Sequence, residues 1–230
     1  MIRRRGGQQV IPRPADWTPG GSAPWPVPAP PAPVDHVVGA VRSLASAHEP
    51  AIFTPTFEGA RPSAVLVLLA DGPEGAEVLL TRRTMQLSSH RGEVSCPGGR
   101  LDDGESYEQA AIREAWEEVG IDRERMTLVG RLDPIATVVS RSWIVPVVAT
   151  TDDRHEPVPH EVEVDRAFWH PLADLTRPGT FREEIWRLDR GEWPVYFFEL
   201  DDETVWGATA RILHQVLRLT HPGRGDHGLG

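Results

Sequence analysis

The chain contains no lysine and no asparagine, so all 24 of its basic side chains are arginine. That bias points to a GC-rich genome rather than to a mechanism. Basic charge is also scarce relative to acid: 34 Asp and Glu leave a net charge of −10. A general nucleic-acid binder would show the opposite, a basic footprint, and none is expected here. Phosphorylated small molecules stay within reach, because bound metal ions and a few local arginines dominate the field of a site. A single cysteine, Cys96, excludes an intramolecular disulfide and fits the reducing cytoplasm. No apolar run reaches the roughly 18 residues needed to span a membrane. The opening Met1-Ile2-Arg3-Arg4-Arg5 has no hydrophobic stretch behind it and does not read as a secretory signal.

What the chain has in excess is proline at one end. Nine of its 22 prolines fall in residues 1–35, a density that favours extended polyproline conformation and cannot build a core. Residues 1–35 therefore read as an arm, 36–221 as one folded domain, and 222–230, rich in glycine, as a loose tail. Trp17 and Trp25 give the arm two side chains with which to dock, and the sequence leaves docking and disorder both open. Within the domain a first helix is expected over residues 37–47, then a hairpin from the apolar runs 64–70 and 77–81. Strands follow at 127–132, 135–139, 143–149 and 195–200, with a partly helical stretch at 175–186 and a last helix from Gly207. Alternating strands and helices predict an α/β class, an α/β/α sandwich with a mixed central sheet.

The densest chemistry lies in residues 99–121, GRLDDGESYEQAAIREAWEEVGI. Ser106 with Gln109 three residues on forms a capping box, which starts a helix at Tyr107, and Gly120 stops it. At about 100° per residue, Ile112, Ala115, Trp116 and Val119 gather on an apolar side. Glu114, Glu117 and Glu118, spaced i, i+3 and i+4, gather opposite. Such neighbours lie about 5–6 Å apart at Cβ, and like charges that close are costly without a cation among them. Arg113 stands one turn before Glu117 and is placed to pair with it.

This run resembles the Nudix box: Gly99, Glu105, Arg113-Glu114, Glu117-Glu118 and Gly120 fill its fixed positions, with Ala115 and Ile121 at its aliphatic ones. The resemblance implies a Nudix-type α/β/α fold and a hydrolase of diphosphates linked to a nucleoside, dependent on Mg²⁺ or Mn²⁺. Hard oxygen donors suit such ions, which often bridge carboxylates and substrate phosphates. It assigns Glu114, Glu117, Glu118 and the Gly99 carbonyl to the metal, Glu114 and Glu117 to catalysis, and Glu105 and Arg113 to orienting them. It also implies a possible homodimer, as in many members of the family.

Upstream, LLTRRTMQLSSHRGEVSCPGG at 79–99 resembles the signature of the coenzyme A diphosphatases within that family. Leu79, Leu80, Thr81, Arg83, Gly92, Pro97, Gly98 and Gly99 match it. Thr84, Ser88 and Cys96 depart, where the pattern has a small residue, an arginine and a phenylalanine. Arg83 is a candidate phosphate contact, and His90 or Arg91 a substitute for the arginine missing at 88. Cys96 is expected to be a small buried filler. WGATARIL at 206–213 matches a third segment of the same subfamily, and its residues read as core. Glu163, in EVEVDRAFWHPL, is the candidate water-activating carboxylate, with Glu161 its rival. The implied reaction is cleavage of coenzyme A or a derivative to 3′,5′-ADP and phosphopantetheine. The alternatives are hydrolysis of ADP-ribose, dinucleotides or other nucleoside diphosphate derivatives, and a weakly active Nudix-fold binding module.

Overall fold

A computed structural model describes residues 6–7, 9–48, 50–85, 91–137, 141–189 and 191–223. His90 and Ser88, named above as a candidate contact and a departure, lie outside the described residues. In chain order the elements are β1 (Trp17–Pro19), α1 (Val34–Ala47), β2 (Arg61–Gly72), β3 (Gly75–Arg83), β4 (Val94–Ser95) and β5 (Gly98–Arg100). Then come α2 (Tyr107–Val119), β6 (Thr127–Arg131), β7 (Ile135–Ala136), β8 (Ser142–Thr150), β9 (Val164–Pro171), β10 (Phe181–Leu188), β11 (Gly191–Glu199), β12 (Thr204–Trp206) and α3 (Gly207–Thr220).

The central sheet is mixed, as expected. β2 pairs in parallel with β8 and antiparallel with β3 and β5, and β9 adds antiparallel to β3. Strands buried on both faces read as continuous apolar runs, which is why 64–70 and 143–149 do. One face carries Ala64, Leu66, Leu68, Val147 and Ala149 against Ala110, Ala111, Ala115 and Val119 of α2. The other carries Val67, Leu69, Val78, Leu80 and Val148 against Val37, Val38 and Val41 of α1 and Ile212, Leu213, Val216 and Leu217 of α3. The sheet is thus sandwiched between helices. Among the described residues no helix is long and apolar enough to cross a membrane.

A second, antiparallel sheet runs β1-β10-β11-β12. Here the expectation of a partly helical 175–186 is corrected: a short 3-10 turn at Leu172–Thr176 gives way to strand β10. The charged run Arg182-Glu183-Glu184 hides a period of two. Phe181 packs on the main core while Trp186 and Glu184, buried on the alternate face, take a short ion pair from Arg182 to Glu184 and a 2.8 Å bond from the Trp186 indole to Glu184.

The proline-rich stretch is seated on this sheet. β1 pairs along β10, and Trp25, only 4% exposed, lies edge-on to Phe181 and stacked over Phe198. The Ala29 amide donates to Thr176 Oγ1 (2.9 Å) and the Ala76 amide to the Ala32 carbonyl (2.7 Å). In the 206–213 segment, Thr209, Ala210, Ile212 and Leu213 are buried and Trp206 stacks with Phe197, which is structural work. Cys96 is buried in the α1/α3 core, and burial alone pushes its thiol up to about 12.

Candidate active site

α2 begins where its sequence says. Ser106 Oγ accepts from the Gln109 amide (3.2 Å), and the Gln109 side chain accepts from the Ser106 amide (2.8 Å). At the other end Gly120 takes the left-handed conformation, φ 69°, that lets the chain turn out of the helix. The segment after β8 then runs back past that end: the Val158 amide donates to Val119 O (3.0 Å) and the His160 amide to Glu118 O (2.9 Å). Carbonyls that the helix cannot satisfy internally are thus capped by a loop. The same loop carries Glu163, whose own carbonyl accepts from the Thr84 amide at the end of β3 (2.9 Å).

These ties bring Glu114, Glu117, Glu118 and Glu163 around one cleft of about 490 Å³, completed by Trp116 and His160. Glu161, the rival of Glu163, is exposed and does not line it. Trp116 corrects an expectation: placed by periodicity on the apolar side, it is 57% exposed. The buried stripe of α2 centres on Ala111, Ala115 and Glu118. Its small alanines let the helix sit tightly on β2, and a tryptophan at the stripe's margin is left outside.

The backbone of β5 forms the floor. A Cβ on Gly98 would lie 2.3 Å from the Ala64 carbonyl, so that position accepts only glycine, while one on Gly99 would lie 2.2 Å from Glu114 Oε1 and push that carboxylate aside. The Gly98 amide donates to Glu118 Oε2 (3.3 Å). Arg113 organises the near wall. Its Nε and Nη2 fork onto the two Glu105 oxygens, each at 3.0 Å, while Nη1 reaches Glu114 at 3.0 Å and Glu117 at 3.1 Å. Nη2 also donates to the Arg100 carbonyl (3.0 Å), stitching β5 to the helix. A bidentate fork of this kind fixes direction as well as charge. It holds the Glu105 carboxyl below its ordinary value and the Arg113 guanidinium above its own.

Electrostatically the cleft is short of positive charge. Burial lifts the Glu114 carboxyl above its ordinary value, and Glu117 and Glu163 add to it against the pull of Arg113. Glu118 is 4% exposed; burial pushes it up to about 8, with Glu114 and Glu163 pushing further. Against that stand the Gly98 amide and Arg83, whose Nη1 is 3.7 Å from Glu118 Oε1. Among the described residues the buried Arg83 Nε has no hydrogen-bond partner. Arg91, the other arginine proposed for this region, is exposed in the turn before β4 and does not line the cleft.

The donor set is all oxygen, anionic and partly desolvated, and it rests on a glycine floor. This fits a hard divalent cation such as Mg²⁺ or Mn²⁺. Among the described residues no three acidic or histidine side chains already converge as a ready-made cage. Mg²⁺ sites commonly lack one, being completed by waters and substrate phosphates. Arg113 supplies the countercharge in the arrangement seen. A smaller cavity of about 240 Å³, centred on Arg166, Phe168 and His170, lies elsewhere. Those side chains alternate along β9 with Ala167, which packs on the α2 side.

The family profile for the NUDIX domain matches residues 60–191, more than half of the chain. The chain belongs to the Nudix hydrolase family. Similar curated relatives include "Nudix hydrolase 15, mitochondrial" of Arabidopsis thaliana, 31% identical over 69% of this chain and 58% of that protein. The "Uncharacterized Nudix hydrolase NudL" of Pectobacterium atrosepticum is 37% identical over 68% of this chain and 81% of its own length. Among solved structures, "a Nudix Hydrolase from M. Smegmatis, RenU" is 29% identical over 52% of this chain and 75% of that one, with a TM-score of 0.44. The chain spans under two thirds of the Arabidopsis relative. This Nudix chain therefore shows family and fold, and its box occupies the loop–helix–loop around α2. Two wall residues had no signal of function in the sequence. His160 enters only because its loop caps α2, and Trp116 only because the packed stripe leaves it out.

Proposed function

We propose that this Nudix chain hydrolyses the diphosphate bond of coenzyme A or a derivative, releasing 3′,5′-ADP and phosphopantetheine. The observation that carries the reading is the single cleft shared by Glu114, Glu117, Glu118 and Glu163 over the Gly98-Gly99 floor. Four carboxylates against two nearby arginines, Arg113 and Arg83, suit a divalent cation bound together with a diphosphate, not a neutral ligand. The coenzyme A signature through Arg83 and the 206–213 segment narrows the class. A bound Mg²⁺ or Mn²⁺ would neutralise diphosphate charge and acidify an attacking water.

The protein's own groups divide the remaining work. Glu114, Glu117 and Glu118, with the Gly99 carbonyl, would hold the cation. Arg113 keeps the Glu114 and Glu117 oxygens directed into the cleft and Glu105 keeps Arg113 directed at them. Arg83, whose Nη1 stands 3.7 Å from Glu118 Oε1, takes a phosphate oxygen. Glu163 receives the proton of the water that attacks phosphorus, directly or through a second water. The P–O bond to the bridging oxygen breaks, and that oxygen leaves on the second phosphate. A cytoplasmic location accompanies this reading, supported by the lone buried thiol, and a homodimer would follow from family habit alone.

The test is a hydrolysis panel with Mn²⁺ or Mg²⁺, resolved by product mass spectrometry. Coenzyme A should be cleaved faster than ADP-ribose or diadenosine polyphosphates; equal or faster turnover of those would replace the subfamily reading by the broader one. Glu117→Gln and Glu163→Gln should each lower kcat by about 10²–10⁴-fold, and Glu161→Gln should leave it nearly unchanged. Absence of turnover on every diphosphate would leave the binding-module alternative.

A further inference from the structure

We infer that Trp116 is the stacking platform for the nucleobase of the substrate. The inference rests on the diphosphate reading of the cleft and adds a specificity contact to it. Trp116 lies within the box, directly before the Glu117-Glu118 pair, at a position with no assigned chemistry. Its ring is 57% exposed, and it lines the same cleft as the four carboxylates. The helix is anchored on the sheet by Ala110, Ala111, Ala115 and Val119, and Trp116 stands outside that packing.

The composition of the wall decides what it can receive. Glu114, Glu117, Glu118 and Glu163 account for the cation and the diphosphate. That leaves Trp116 and the exposed His160 as the two rings of the lining among the described residues. His160 is fixed at this place by its backbone bond to the Glu118 carbonyl (2.9 Å). Ligand sites of roughly 300–1,000 Å³ accept drug-sized molecules, and the cleft of about 490 Å³ falls within that range. A planar π-system fits a ring wall; a sugar or an alkyl chain gains much less from it. Base–aromatic stacking tolerates any base, so this platform selects for a nucleoside over a non-nucleoside diphosphate and not for adenine over guanine.

The test uses binding as well as turnover, so that it stands apart from the hydrolysis assay. The full chain and its W116A and W116F variants are titrated with Mg²⁺·ADP by calorimetry, and with Mn²⁺ alone as a control. W116A should weaken Mg²⁺·ADP about 5- to 100-fold, the range stacking supports, with W116F recovering most of it and Mn²⁺ binding unchanged. In hydrolysis, W116A should raise KM for the base-bearing substrate with kcat nearly constant. KM for P1,P2-diethyl diphosphate, which has no base, should not move. Equal Mg²⁺·ADP affinity of W116A and wild type would overturn the inference, as would a KM increase shared by both substrates. Loss of Mg²⁺·ADP affinity in a chain that hydrolyses nothing would support the platform while refuting the proposed reaction.

Discussion

Replacing Glu118 by glutamine should make the protein more stable in alkaline, chelated buffer while abolishing its hydrolytic activity. Glu118 is nearly completely buried, and burial moves its carboxyl from an ordinary 4.5 to about 8. The folded chain thus holds this proton more tightly than the unfolded chain. The stabilisation is complete below about 4.5 and is lost as pH rises through about 8. At about 1.4 kcal/mol per pH decade the ceiling on the loss is roughly 5 kcal/mol. Water entering the open cleft, and Arg83 closing in from 3.7 Å, would recover part of it, leaving about 2–3 kcal/mol. Glutamine keeps the shape and can still accept from the Gly98 amide, but it carries no charge. For a chain of this size each kcal/mol is worth about 2–4 °C, so E118Q should melt about 4–12 °C above wild type at pH 8.5 in EDTA. At pH 5 the two should nearly coincide. Saturating Mg²⁺ should close the gap, because a cation stabilises the form that binds it by about 2.7 kcal/mol at 100 times Kd. The assay is differential scanning fluorimetry across pH, with and without chelator. An E118Q variant that melts at or below wild type at pH 8.5 in EDTA would refute the reasoning, since Glu118 would then have a countercharge the geometry does not show.

Three further outcomes can be checked separately. Gly99→Ala places a methyl 2.2 Å from Glu114 Oε1 and, by turning aside a carboxylate of the metal set, should cut kcat about 10- to 100-fold with an unchanged circular dichroism spectrum. Trp25→Ala should cost about 3–5 kcal/mol in urea denaturation, the usual loss for a buried aromatic; a loss near zero would mean the arm contributes nothing to the fold. His214 is held down to about 4, first by burial and then by Arg218 and Arg211, so the chain should lose stability as pH falls from 6.5 toward 4. His214→Phe, which keeps a ring against Tyr196, should flatten that acid limb, and an unchanged limb would show that His214 is not its source.

The legibility of the site follows from what kind of information each residue needs. The capping box, the Gly120 stop and the Arg113–Glu117 pair are local, and each stands where spacing puts it. The convergence of Glu114 with Glu118 is also local, a matter of helical turn. Glu163 is 45 positions beyond Glu118, and only a resemblance could nominate it; the loop bonds at Val158, His160 and Thr84 that bring it to the cleft are tertiary. Trp116 was misread because periodicity assigns a direction without knowing the width of the buried stripe. β10 was misread for a related reason: Arg182 and Glu184 look solvated until Trp186 and a second sheet are in place around them. The arm's seat was open because a proline-rich run carries no periodicity, and what fixes it is a pair of tryptophans finding partners more than 150 positions away.

That arm has a consequence for how the molecule behaves among its own copies. The second sheet has two outer strands, and β10 would be one of them were β1 not laid along it. A long strand with bare amides invites recruitment by another chain. β1 replaces it with three residues ending in Pro19, flanked by Pro12 and Pro14, positions without an N–H to offer. The prolines around β1 therefore make this stretch a guard against polymerisation, while its Trp25 joins the core. Removing it to obtain a tidier domain would leave β10 uncovered and invite the aggregation it prevents.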